Sequence, residues 1–156
     1  MLYPGLALLA MGMAAEAAIL HGTIIVGGVG FDIHTMLYAA GATILGLQLV
    51  LFSILARTIG VMKNVLPIRP ALRRFFQVFT LERGILLGLA LGATGLALAI
   101  YSVVGWARTR LGALDPTEMM RVAIPSITLM LAGGEIVFAS FLLGFIDLRT
   151  TPTGDT

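Results

Sequence analysis

Hydrophobic residues are concentrated in long segments of the chain, and short polar or basic stretches separate them. The segments cover residues 2–20, 35–56, 84–106 and 122–146. A helix needs about 20 mostly apolar residues to cross the hydrocarbon core of a bilayer, whereas a buried β-strand is much shorter. The pattern therefore predicts an all-α membrane protein, with four transmembrane helices in a domain over residues 1–149 and a flexible cytosolic tail at residues 150–156.

The composition supports a membrane protein. Of the 156 residues, 58% are hydrophobic and 12% are charged, and the mean hydropathy is +1.01. A soluble domain carries about 25% charged residues. This chain has too few charges to cover a soluble surface, which excludes a soluble enzyme and a nucleic-acid-binding module. The sequence has no cysteine, so disulfides, thiolate catalysis and cysteine metal sites are excluded as well.

The uneven distribution of basic residues predicts the orientation in the membrane. The first loop, residues 21–34, has no Lys or Arg, and the third, residues 107–121, has three Arg. The second loop, residues 57–83, holds the largest group, namely Arg57, Lys63, Arg69, Arg73, Arg74 and Arg83. Cytoplasmic loops carry an excess of Lys and Arg, so we expect the second loop and both termini to lie in the cytosol.

The first and second loops carry patterns of local structure. Gly27-Gly28 separates short apolar runs, which predicts an outer β-hairpin with a primed turn, and Thr35 is the expected N-cap of the second span. In the second loop, Pro67 and Pro70 precede apolar residues at helical spacing, namely Leu72, Phe75, Phe76 and Phe79. This spacing predicts an interfacial amphipathic helix on the cytosolic side, with its apolar face in the acyl boundary.

The basic residues around the predicted amphipathic helix are candidates for binding lipid headgroups. They are Lys63, Arg69, Arg73, Arg74 and Arg83. An arginine side chain can hold a phosphate through two parallel hydrogen bonds. We therefore expect this loop to bind anionic lipid or polyprenyl phosphate. The alternative is that the helix only holds the loop flat and the arginines only mark the cytosolic side.

Small residues form a strip along the third span. Gly84, Gly88 and Gly92 recur at every fourth position, and Gly95 and Ala99 extend the strip. Such spacing lets another helix approach closely, so the three glycines are the candidate helix-packing residues. The pattern leaves open whether the neighbouring helix belongs to the same chain or to a second copy.

Polar residues inside the predicted spans are the other candidates. Glu16, Gln48 and Glu135 lie within apolar segments, and an ionisable group there is by default a functional hypothesis. Glu135 lies roughly 20 Å into its span at 1.5 Å per residue, whereas Glu16 is close enough to the outer end to reach the interface. The alternative for Glu135 is a hydrogen-bonded carboxyl that only orders the bundle.

The sequence shows no catalytic or metal motif. His21, Asp32 and His34 lie near each other in the outer loop, but their spacing matches no strong metal motif. The sequence lacks a Gly-rich phosphate loop, an Asp-x-Asp pair and a Ser/His/Asp set. We therefore expect no metal site, no cofactor and no catalytic machinery in this chain.

Several short segments resemble a known family in their order and spacing. They are Leu2-Tyr-Pro-Gly5, Gly30-Phe-Asp-Ile-His-Thr35, Gly46-Leu-Gln48, Ala56-Arg-Thr58, Phe79-Thr-Leu-Glu-Arg-Gly84 and Phe138-Ala-Ser-Phe141. Together they resemble the C-terminal membrane region of bacterial family 2 glycosyltransferases of the polyprenyl-phosphate type, which are similar to dolichyl-phosphate mannose or glucose synthases. The resemblance covers nearly the whole chain.

The resemblance implies a membrane anchor in the bacterial cytoplasmic membrane. Enzymes of this type glycosylate a polyprenyl phosphate with a cytosolic domain that uses a nucleotide sugar and a divalent metal. That domain is missing from this sequence, so its catalytic residues cannot be carried over, and the chain is either a fragment or a stand-alone subunit. What carries over is the anchor role and a basic loop near the lipid phosphate.

The expected function is therefore non-catalytic. We expect the chain to anchor or assemble a partner at the membrane. The expected partners are membrane lipids, polyprenyl phosphate, other membrane subunits or a cytosolic glycosyltransferase domain. Nucleic acid is not an expected partner. One alternative is an accessory subunit of a larger respiratory or photosynthetic complex. Another is a small translocator of lipid-linked sugars of the GtrA-like kind, which predicts a polar cavity.

Overall fold

Long helices dominate the computed structural model, which describes residues 1–63, 80–108 and 116–148. In chain order its elements are α1 (Leu2–Ile19), β1 (Ile24–Val26), β2 (Val29–Phe31), α2 (Ile33–Met62), α3 (Leu81–Arg108) and α4 (Pro116–Leu148). All four helices are long and apolar enough to cross a membrane, which confirms the predicted fold class. The predicted amphipathic helix and the tail lie outside the described residues.

The helices α2, α3 and α4 extend beyond the predicted spans. α2 has 30 residues and α4 has 33, so each is longer than the apolar segment that predicted it. The reason is that hydropathy marks only the part of a helix inside the hydrocarbon. Helical hydrogen bonding continues through the more polar residues at the interfaces until a turn or a break ends it.

The helices pack as antiparallel pairs whose backbones approach closely at glycines. In the first pair, Gly5 of α1 lies against Gly46 of α2. In the second pair, Gly88 of α3 lies against Gly133 of α4, and Gly95 lies against Ser126. The two pairs meet where α2 contacts α4, and the side chains that face each other there show that these two helices run in the same direction.

The best-buried apolar side chains lie toward the end of the bundle that carries the β-hairpin. Ile19, Met36, Ala40 and Ile124 form this cluster, and Ile24 of β1 packs against it. Met36 is completely inaccessible to solvent. The cluster therefore joins α1, α2 and α4 directly beneath the hairpin.

The predicted hairpin with a primed turn is present. β1 and β2 pair antiparallel with Val26 opposite Val29, and Gly27 and Gly28 have φ angles of 60° and 84°. Both central residues of a type I′ turn need a positive φ, which glycine adopts without strain. The expectation for Thr35 was wrong: α2 begins at Ile33, and Asp32 is its N-cap, because the chain enters the helix directly after the strand pairing ends.

The orientation of the bundle stays a prediction, and cysteine labelling tests it. Ile25 in the hairpin is 74% exposed, so an Ile25→Cys variant is expected to react with a membrane-impermeant maleimide added from outside. Asn64→Cys in the basic loop is expected to react only after permeabilisation. The absence of cysteine from the natural sequence keeps the background low, and the reverse labelling pattern would overturn the N-in orientation.

Candidate functional site

The basic end of the bundle holds the described members of the candidate headgroup-binding set. Lys63 is the C-cap of α2, where a positive charge complements the helix dipole. Arg83 lies in the first turn of α3, whose N-cap residue Thr80 accepts a long hydrogen bond of 3.5 Å from the Arg83 backbone. Both side chains are exposed. Because α2 runs parallel to α4 and α3 runs antiparallel to it, the end of α2 and the start of α3 lie at the same end of the bundle.

The remaining members of that set lie outside the described residues. They are Arg69, Arg73 and Arg74, which belong to the loop between α2 and α3. The described part of the chain therefore places the two flanks of the candidate site, Lys63 and Arg83, at the ends of two long helices. The expected role of the five residues in binding a headgroup stays a prediction.

The three candidate packing glycines are placed differently. Gly84 and Gly88 are buried. A Cβ added at Gly88 would lie 2.6 Å from the Gly133 carbonyl oxygen and 2.6 Å from Val137 Cγ2, far inside van der Waals contact. A Cβ added at Gly92 would meet no atom of the described residues within 4 Å. The close neighbour of Gly88 belongs to the same chain.

A polar pair joins the two halves of the bundle deep inside the predicted spans. Gln48 of α2 donates a hydrogen bond from Nε2 to Oε1 of Glu135 of α4 over 2.8 Å. Glu135 Oε2 is buried and has no hydrogen-bond partner among the described residues. The sequence identified both residues as candidates, and the structure shows that they contact each other.

Cavities lie between α2 and α4 on either side of the Gln48–Glu135 pair. One has a volume of about 350 Å³ and extends toward the hairpin end, where Thr128 is part of its lining. The other has a volume of about 360 Å³ and extends toward the basic end, where Phe52 and Phe138 form part of its wall. Aliphatic and aromatic side chains line most of both cavities, so they suit hydrocarbon better than a sugar.

The Glu16 side chain turns into the bundle. Its side chain is only 8% exposed, and its Oε1 lies 2.9 Å from Thr128 Oγ1 of α4. The hydroxyl of Thr43 on α2 is also within hydrogen-bonding reach of this carboxyl. Glu16 therefore connects three helices.

Sequence reasoning missed a polar cluster at the hairpin end. Arg121 of α4 donates from Nη2 to Asp32 Oδ1 over 2.9 Å and to Thr23 Oγ1 over 3.1 Å, and from Nη1 to the carbonyl oxygen of Ile19. One guanidinium thus ties the end of α1 and the hairpin to α4. The sequence contained one indication of this cluster: Asp32 and Arg121 flank predicted spans on the same predicted side of the membrane.

The first loop, residues 21–34, brings together no set of metal ligands. Asp32, the one carboxylate of the His21, Asp32 and His34 group, is paired with Arg121. Over residues 1–63, 80–108 and 116–148, no group of three or more His, Asp and Glu side chains is close enough together to hold a metal ion. What this end offers is a clamp between helices.

Comparison with the profiles of known protein families gives a match. The profile of the glycosyltransferase family 2 C-terminal transmembrane region matches residues 54–147, more than half of the chain, from the second half of α2 to the end of α4. α1 and the β-hairpin lie outside the matched range. No curated protein and no solved structure matches the chain.

Proposed function

The chain belongs to the family of glycosyltransferase family 2 C-terminal transmembrane regions, and we propose that it anchors a glycosyltransferase partner at the membrane and holds a lipid phosphate at its basic end. It spans the membrane four times, and a bacterial cytoplasmic membrane is consistent with the family. The proposed ligand class is a polyprenyl phosphate, with other anionic lipids as weaker competitors.

The observation that carries this proposal is the position of the basic residues at one end of the bundle. Lys63 and Arg83 flank a loop that contains Arg69, Arg73 and Arg74. A juxtamembrane cation near an anionic surface contributes about 1 kcal/mol. Arginine adds a planar fork that can hold a phosphate through two hydrogen bonds, which lysine cannot do. A loop with this composition is suited to bind a phosphate group at the depth of the lipid headgroups.

The packing of the bundle supports an anchor. α2 and α3 end on either side of the basic loop, and both contact α4. The glycine contacts let the α3 and α4 backbones approach closely, so the flanks of the loop are held by packed helices. A catalytic partner docked on this end would find its lipid substrate's phosphate presented at a fixed place.

The cavities give no support to a sugar translocator. Such a function needs a polar path through the membrane, and the cavities between α2 and α4 are lined chiefly by apolar side chains. Gln48, Thr128 and Glu135 are the polar members of their linings. The accessory-subunit alternative is distinguished by the mass and identity of subunits that co-purify in mild detergent.

The proposal is tested by neutralising the same number of charges in the second loop and in the third loop. In an Arg73→Gln/Arg74→Gln variant, we expect co-purified anionic lipid, measured by native mass spectrometry, to fall roughly thirtyfold, since two cations contribute about 2 kcal/mol to phosphate binding. The matched control, Arg108→Gln/Arg110→Gln, removes the same charge from the third loop and is expected to retain lipid like the natural chain.

Orientation should survive in the test variant, because four of the six basic residues of the second loop remain. A loss of lipid in the test variant alone supports a headgroup site in the second loop. Equal retention in both variants would mean that the arginines only mark the cytosolic side, and would overturn the proposal.

A further inference from the structure

Gln48 is exposed on the outside of the bundle although it lies near the middle of a transmembrane helix. It comes 15 residues after Ile33 in the 30-residue helix α2, or roughly 22 Å along the axis. A carboxamide has two N–H donors and an acceptor oxygen. Within the described residues its hydrogen bond to Glu135 uses only one donor, and the bilayer interior offers no water for the rest.

The neighbours of Gln48 form a row that suits a second helix. Gly41, Leu45, Gln48 and Phe52 are exposed, and their spacing of four, three and four residues is that of a left-handed coiled-coil seam. Leu45 is 55% exposed and Phe52 is 69% exposed. Exposed apolar residues in a membrane protein need no partner other than lipid, so the informative member of the row is the amide.

We propose that this face of α2 binds the same face of a second copy of the chain, with the two Gln48 side chains paired. Copies inserted with the same orientation are related by an axis along the membrane normal, which brings identical residues to identical depths. Each Gln48 then donates one N–H to its own Glu135 and the other to the carbonyl oxygen of the second Gln48. All donors and acceptors of both amides are satisfied.

Other occupants fit this face less well. A lipid chain that fills the cavities beside Gln48 has no hydrogen-bonding group at mid-depth, so it would leave the amide unsatisfied. A helix from a different protein would need a polar residue at the matching depth. A second copy supplies such a residue automatically, because an amide is both donor and acceptor and is complementary to itself.

The test uses single cysteines in a chain that has none of its own. Leu45→Cys and Phe52→Cys, on either side of Gln48, are oxidised in native membranes before detergent is added. We expect each to give a disulfide-linked product with twice the mass of the 16.5 kDa chain. The control, Leu96→Cys, is 49% exposed and lies on α3, which does not line this face; it is expected to remain monomeric.

A second set of variants tests whether the Gln48 amide makes the contact between the two copies. Adding Gln48→Leu to the Leu45→Cys chain should weaken the dimer roughly five- to tenfold, the effect of losing two interhelical hydrogen bonds of the average strength found in membranes. Glu135→Gln keeps the acceptor for Gln48 and is expected to leave the cross-linked fraction unchanged.

The possible outcomes distinguish a dimer with paired amides from random collision, a different protein partner and lipid. Cross-linking at positions 45 and 52 but not at 96, together with its loss on Gln48→Leu, supports the paired amides. Equal cross-linking at all three positions would indicate random collision, and a product with the mass of a different protein would assign the face to another partner. A monomer under every condition would leave the face to lipid. Each of these last three results overturns the proposal.

Discussion

Replacing Gly88 by alanine is expected to lower the free energy of unfolding of the bundle by about 2 kcal/mol, whereas Gly92→Ala is expected to leave it unchanged or raise it slightly. A methyl group at Gly88 would lie 2.6 Å from the carbonyl oxygen of Gly133, and backbone atoms of α4 can move away only if the whole helix shifts. At Gly92 the added methyl group meets nothing in the described structure, and alanine favours the helix.

The comparison is measured by unfolding in mixed micelles, followed by circular dichroism. The two variants add the same atoms to the same helix four residues apart, so propensity and hydrophobicity are matched. A larger pair extends the test: Gly88→Leu should separate α3 from α4, while Ala93→Leu, on an exposed face, should be tolerated. If the substitutions at 88, 92 and 93 behave alike, the close contact between α3 and α4 is misplaced.

Arg121→Gln is expected to destabilise the bundle by about 2 kcal/mol, because it leaves a carboxylate and a backbone carbonyl without their shared donor. The Arg121 side chain is only 16% exposed and that of Asp32 is 39% exposed. Water therefore replaces the lost hydrogen bonds poorly on the Arg121 side of the contact. Arg121→Lys keeps the charge but cannot reach all three acceptors at once, and should cost less than the glutamine variant.

A double-mutant cycle with Asp32→Asn isolates the ion pair from general damage. The double variant should lose less stability than the sum of the losses in the two single variants, since both substitutions remove the same contact. In the predicted orientation Arg121 lies on the outer side, so its removal strengthens the bias of positive charge toward the cytosol and should not disturb the orientation. If the Arg121→Gln variant melts in detergent at the same temperature as the natural chain, the cluster does not hold the hairpin end together.

Hydropathy was sufficient to predict the four helices, because a long apolar run has few stable alternatives in a bilayer. The hairpin was predictable from Gly27-Gly28, since few residues other than glycine tolerate two successive positive φ angles. The predicted ends were less accurate for α2 and α4. Capping and hydrogen bonding determine where a helix stops, and these depend on residues outside the apolar run.

The glycine strip shows how a sequence pattern can be nearly right. Successive residues of an α-helix are rotated by about 100°, so positions four apart drift by about 40° and positions seven apart by only about 20°. Gly88 and Gly95, seven residues apart, both approach α4 closely, whereas an added side chain at Gly92 points to open space. The backbone of Gly92 also lies against Gly133, so the every-fourth-residue motif identified the helix face but not the positions at which an added side chain would clash.

The pairing of the polar residues could not be predicted from the sequence. Gln48 and Glu135 are 87 positions apart, Glu16 and Thr128 are 112 apart, and Asp32 and Arg121 are 89 apart. Periodicity places a residue on a face of its own helix, but which helix covers that face depends on how the antiparallel pairs meet. A single sequence carries no signal for the contact between α2 and α4.

Phosphate recognition at the basic end is tested most directly with the natural chain in nanodiscs of zwitterionic lipid. The discs are doped with polyprenyl phosphate, with a polyprenol of the same chain length, or with phosphatidylglycerol, and the lipid retained on the protein is counted by native mass spectrometry. We expect polyprenyl phosphate to be retained more than phosphatidylglycerol and far more than polyprenol. Equal retention of polyprenol and polyprenyl phosphate would contradict a phosphate site.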